Sequence, residues 1–308
     1  MAWRGHDPLL ALFDELIQTL RAVEPVFLVV PPEQAPSIER RLGGQDESLR
    51  LLPIPLNEFW MRDIAPISVL DPQGKPVALA PRFNGWGERF PCELDQLFPT
   101  LLSRRLGLRL ERLDLCTEGG ALEPNGEGLF LTTRSALLAT NRRNPDEATV
   151  ERTLRQTLSL DQLVWLDEGL DGDHTDGHID NLARFVSPST LVHVRADLDA
   201  SHPDQRRLEA NTQVLTALAE AKPMLERVEL PAIGLRADGK AVPASYANFY
   251  LAPDLVLMPC FGHNGEAEAR SVLTALMPER RVIGLDCRAL ISQGGGLHCL
   301  AQPLRLPD

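Results

Sequence analysis

Apolar and polar positions along the chain repeat one figure. VFLVV, Val26 to Val30, is an apolar run of strand length; EQAPSIERRL follows with helical spacing, then LRLLPI as a second strand. The order returns with PVALAPRF, ELDQLFPTLLSRRL and LRLERLDL, then with GLFLTT, PDEATVERTLRQTL and QLVWLD. It returns twice more, as TLVHVRA, DQRRLEANTQVLTALAEA and LERVELP, and as DLVLMPC, EAEARSVLTALM and RVIGLD. The closing strands begin near Leu49, Leu108, Gln162, Leu225 and Arg281. This recurrence of roughly 55–65 residues exceeds the common solenoid periods and suits a ring of α/β blades. A doubly wound sheet would show the same alternation. It should also carry a glycine fingerprint after its first strand, where VFLVVPPEQAP has two prolines and no glycine. The ring is therefore the expected architecture.

The segments after the five closing strands carry the chemistry: NEFWMRD, TEGG, DGDHTDGHIDN, VPASYANFY and GGGLHC. All occupy the same slot in their module and break the apolar period. In a closed ring that slot faces one place, so five distant stretches are expected to line a single pocket. Loops on a rigid scaffold are where function usually resides.

Composition narrows the partners. The chain has 308 residues, 44% hydrophobic and 24% charged, with a formal net charge of −12. The acidic balance speaks against nucleic acid and anionic membrane as partners and favours a small cationic ligand. No apolar run reaches the length of a membrane span, and the opening residues MAWRGHDPLLALFDELIQTL read as an amphipathic helix, not a signal peptide. A cytoplasmic protein of one domain, residues 1–308, is expected; a homo-oligomer is compatible with the chain, but the sequence does not specify one. The five cysteines, Cys92, Cys116, Cys260, Cys287 and Cys299, form no CxxC pair, so a disulfide framework or zinc ribbon is not expected.

Each special segment has a bland reading and a chemical one. Cys299 follows Gly294, Gly295 and Gly296: a glycine turn before a core thiol, or backbone kept close to a ligand beside a nucleophile. His298, next to it, should point away on extended backbone and reads as structural. His178 and Asp180, two apart, would share one face of an extended segment and suit a proton shuttle. His174 and His178, at i and i+4, together with Asp180, suit a metal if the segment is helical, but DGDHTDGHID is poor helix material. Trp60 supplies a flat wall, with Asp63 a carboxylate beside Arg62. Glu118 precedes a diglycine, Asn248 sits among aromatics and is expected with Trp60, Asp63 and Asp180 to contact the substrate, and Trp86 reads as a loop aromatic packed on the core. The combination is one thiol, one imidazole, three carboxylates and an aromatic wall. Two carboxylates match a planar guanidinium, and a thiolate is a suitable nucleophile for its central carbon, so the set points to guanidine chemistry.

WMRDIAP, EGGALEPNGEGLFLTT, GDHTDGHIDNLARFV, VPASYANFYL and QGGGLHC, in order from about Phe59 to Pro303, resemble the agmatine deiminase family, which is also that of the Porphyromonas-type peptidylarginine deiminases. The resemblance implies a pentein fold, an α/β propeller of five ββαβ-type modules around a pseudo-fivefold axis. It implies a guanidinium clamped by Asp63 and Asp180, attacked by Cys299, with His178 and Glu118 moving protons, Trp60 flanking the stem, and no metal or organic cofactor. The implied reaction converts a guanidino compound, agmatine first, to a ureido product and ammonia; arginine, peptidyl-arginine or amidino transfer to an amine are the neighbouring alternatives. His174 stands where agmatine-specific members usually carry an acid, Phe59 where a small hydroxyl residue is usual, and GGGLHC is compact. These departures leave the guanidinium machinery intact and fall where the substrate's tail would lie.

Overall fold

The computed structural model describes residues 1–3 and 8–307. After the N-terminal helix Leu10–Arg21, which buries Leu12, Phe13, Leu16, Ile17 and Leu20 along one face, the described residues form five small separate sheets and one hairpin. In each sheet a central strand pairs in parallel with a closing strand: Val26–Val30 with Leu49–Pro53, Pro76–Arg82 with Arg109–Cys116, Leu129–Thr133 with Gln162–Leu166, Thr190–Val194 with Glu226–Leu230, and Leu255–Cys260 with Arg281–Asp286. Parallel strands need a crossover. Helices Ala35–Arg41, Phe98–Leu106, Glu147–Leu158, Pro203–Ala221 and Glu266–Leu276 supply it in turn.

Four of the sheets add a third strand, antiparallel to the central one: Ile67–Leu70, Glu123–Pro124, Ala183–Ser187 and Tyr250–Leu251. The first sheet departs from the expected ββαβ pattern. It has two strands, and in place of a third there is a single parallel bridge from Ala2 to Val29. Among the described residues the sheets do not join into one, which removes the doubly wound alternative. The remaining hairpin, Arg236–Ala237 with Lys240–Ala241, extends the fourth module before its functional segment.

The expected helix over residues 93–106 begins later, at Phe98, with a proline in its first turn. Residues 93–97 are turns instead, because the buried Asp95 carboxylate accepts the backbone N–H groups of Asn57 (2.8 Å) and Glu58 (3.3 Å). Helix Glu147–Leu158 starts as its sequence suggests, with Asp146 capping the Thr149 N–H. Each central strand is buried on both faces, as in Leu255–Cys260, where only Cys260 is partly open. The strands are therefore fixed by packing, and the segments leaving the closing strands inherit fixed positions.

Candidate active site

The first segment places Asp63 in the one-turn helix Met61–Ile64, with its side chain buried. Trp86 donates its indole N–H to Asp63 Oδ2 at 2.9 Å, and the Gly120 N–H reaches Oδ1 at 3.2 Å. Trp86 is thus a site residue, where the sequence suggested a loop aromatic packed on the core. It is aimed inward by four successive residues of left-handed backbone, Gly85, Trp86, Gly87 and Glu88, a conformation glycine adopts freely.

The second segment leaves its strand with Glu118 extended and turns through Gly119–Ala121. A Cβ on Gly120 would lie 2.5 Å from His178 Nδ1 and 3.0 Å from both Asp63 Oδ1 and Asp180 Oδ2. The diglycine is therefore needed to let three site side chains meet against bare backbone. Glu118 is buried. One of its oxygens lies 3.3 Å from His178 Nε2, and the other pairs with the Arg142 guanidinium at 3.0 Å.

The third segment is neither extended nor helical through its histidines. Residues 171–177 are turns and irregular backbone, and Ile179–Asn181 is a short 3₁₀ turn. The reasoning that put His178 and Asp180 on one face of a strand is corrected accordingly. Both face the site because the turn starting at His178 swings Asp180 round. The i, i+4 helical pair of His174 and His178 does not form. His174 lines the aromatic pocket, with its ring edge on Phe90 at 6.0 Å between centroids. His178 lies against Glu118 and, at 3.7 Å, Asp63. Among the described residues no group of three or more His, Cys, Asp or Glu side chains could hold a metal ion.

The fourth and fifth segments meet at the sulfur. Cys299 lies in the 3₁₀ turn His298–Leu300, not on extended backbone as the sequence reading assumed. Asn248 sets it in place. Its amide nitrogen donates to Asn181 Oδ1 at 2.9 Å and lies 3.4 Å from Cys299 Sγ, while its oxygen accepts the His298 N–H at 3.0 Å. A Cβ on Gly296 would fall 2.5 Å from that oxygen, and one on Gly295 would enter the Trp60 ring at 2.6 Å. These contacts explain the glycine run. His298 turns to Asp180, with Nδ1 2.7 Å from Oδ2.

Electrostatics separate the groups. Burial opposes a charge on His178, but Asp63, Glu118 and Asp180 outweigh it and raise the imidazole to about 9. Burial lifts Asp180 to about 7, with His178 pulling the other way. It also raises Asp63 above the usual carboxylate range. Cys299 is pushed well above an ordinary thiol by burial, then by Asp180 and Asp63. His298 is driven well below its ordinary value by burial and by Arg184 and Arg62. It is a neutral ring that shares a hydrogen bond with Asp180.

Cys299 and Asp63 open into a pocket of about 210 Å³ walled by Phe59, Trp60, Trp86, Phe90 and His174. Phe59 and Trp60 stack at 4.3 Å. Of the residues expected at the site from sequence, Trp60, Asp63 and Cys299 line this pocket, and Glu118, His178, Asp180 and Asn248 lie behind it, packed on Asp63, Gly120 and Cys299. Trp86 and Arg142 escaped the reading. Trp86 could have been found from its flanking glycines. Arg142 sits in NRRN, which has no local feature of a site.

The chain is similar to known proteins along nearly its whole length. The chain is 30% identical to the agmatine deiminases of Ectopseudomonas mendocina and Pseudomonas aeruginosa, in each case over 99% of this chain and 90% of the relative. A solved structure from Porphyromonas gingivalis superposes with a TM-score of 0.89 at 35% identity, covering 99% of this chain and 93% of the other. That of the C. jejuni agmatine deiminase with substrate bound gives a TM-score of 0.88 at 26% identity, covering 97% of this chain and 88% of the other. The model of the Porphyromonas-type peptidyl-arginine deiminases matches residues 2–304, and the chain belongs to that family.

Proposed function

We propose that the protein deiminates a small cationic guanidino compound, agmatine in the first place, to N-carbamoylputrescine and ammonia. The observation that supports this reading is the meeting of Asp63, Glu118, His178, Asp180 and Cys299 at the end of a narrow aromatic pocket. Its five modules are arranged as one pentein propeller domain.

The guanidinium enters past Trp60 and is held between Asp63 and Asp180, whose two negative charges suit a planar cation. The arriving cation also stabilises a thiolate, so Cys299 releases its proton to water only once substrate is present. Sulfur attacks the central carbon. His178, already protonated and held by Glu118, gives its proton to the leaving nitrogen as the C–N bond breaks and ammonia departs. Neutral His178 then accepts a proton from water as its oxygen bonds to the carbon. The C–S bond breaks, the new hydroxyl gives up its proton as the ureido product leaves, and Cys299 takes a proton back to return to the resting thiol. Asn248 positions the sulfur and the His298 backbone rather than the substrate.

An ammonia-release assay across agmatine, free arginine and an arginine peptide tests the reading. Agmatine is expected to lead, because among the described residues no lysine or arginine lines the pocket to meet a free α-carboxylate. No ammonia from any of the three would overturn it.

A further inference from the structure

A second cleft, of about 590 Å³, ends on the other side of Asp63. Its lining shares only Asp63 with the aromatic pocket. The floor includes Arg142, which holds Glu118, and Asp63, which touches His178. Among the described residues, Asp95 Oδ2 and Arg142 Nε on its lining are buried polar atoms without a hydrogen-bond partner, as is His178 Nδ1, 3.7 Å from Asp63 Oδ1. Asp95 is fully buried, and burial lifts its carboxyl to about 6. Buried polar atoms of this kind are ordinarily satisfied by small hydrogen-bonding molecules.

The proposed reaction needs a second passage. The leaving group is ammonia, so after the first step the substrate's stem is still bonded through its own nitrogen to the carbon on Cys299. The stem continues to fill the aromatic pocket when ammonia must leave and water must arrive. Resting on that mechanism, we propose that the Asp63–Arg142–Asp95 cleft is the passage for ammonia and hydrolytic water, separate from the one the substrate uses.

Gln96 and Arg112 line the cleft and are exposed at its mouth. Gln96→Trp and Arg112→Trp should narrow it without touching the groups that act on substrate. With agmatine, each is expected to lower kcat about tenfold, as slowed passage of a small species limits turnover. The fraction of protein carrying the Cys299 amidino adduct in a quenched mass spectrum should rise at the same time. Methylguanidine has no stem to fill the aromatic pocket, and its turnover should be unchanged in both variants. Wild-type adduct levels in both variants would overturn the passage, as would equal losses on the two substrates. Inactive wild-type protein would instead overturn the deiminase reading itself, so the two failures are distinct.

Discussion

The two ends of the active site are prepared in opposite ways. At one end, His178 is surrounded by Asp63, Glu118 and Asp180 and carries its proton up to about 9. Arg142 locks the far oxygen of Glu118 in place. At the other end, Cys299 holds its proton well above the ordinary thiol range, His298 is neutral, and Asp180 titrates near 7. In the proposed mechanism the acid is charged before substrate arrives, and the nucleophile is silent until it does. The difference comes from the company each group keeps, since both are buried. Carboxylates favour a cation and oppose an anion. A guanidinium between Asp63 and Asp180 would reverse the balance at the sulfur while leaving the imidazolium ready.

Removing either end should break the site differently. Cys299→Ala is expected to abolish ammonia release, a loss of roughly 10⁵-fold or more, with substrate still bound by the carboxylates. Calorimetric titration with agmatine checks the binding. His178→Gln is expected to cost about 10³-fold in kcat, because sulfur can still attack while the leaving nitrogen lacks its proton. The quenched mass spectrum should then show less adduct than wild type. Asp180→Asn should weaken agmatine binding by about 2 kcal/mol, the cost of leaving a buried charged pair half made. It should also erase the acid limb of the pH profile.

That profile follows from the two signs. Asp180 must be ionised to hold the cation, which sets an acid limb of kcat/KM near 7. His178 must be protonated to serve the leaving group, which sets an alkaline limb near 9. The free-enzyme parameter is the one that reports these groups.

The smallest effect is on stability. His178 is raised above its unfolded value of 6.5, so its contribution is complete below that pH and is lost as pH climbs through about 9. Asp180 is also raised, from 3.8, so folding favours its neutral form and loses that advantage as pH climbs through about 7. The melting temperature of the empty protein should fall by a few degrees between pH 6 and pH 9 in differential scanning fluorimetry. Agmatine should restore more of it at pH 9, where Asp180 is charged. A flat profile would show that the two groups are not held as described.

What could be read in advance follows a physical line. The closing strands expected near Leu49, Gln162 and Arg281 begin at those residues, and the other two begin one residue later, at Arg109 and Glu226. Strand and helix are written locally, in apolar period and turn residues. Asp63, Glu118, His178, Asp180 and Cys299 were legible because reactive residue types gather where the period breaks. Their conformations were not. The 3₁₀ turns at Ile179–Asn181 and His298–Leu300 replace expected extended backbone, since the His178 N–H is held by Asp173 and Thr175, and the His298 N–H by Asn248.

The sequence by itself determined the repeated module, the place of each reactive segment within it and the class of chemistry those residues can perform. Tertiary structure alone decided which charges face one another. Arg142 behind Glu118, Trp86 on Asp63 and the cleft that ends at Asp63 depend on side chains tens of residues apart meeting in the buried interior. There a neighbour's charge shifts a proton by several units, and no local pattern encodes which neighbour it will be.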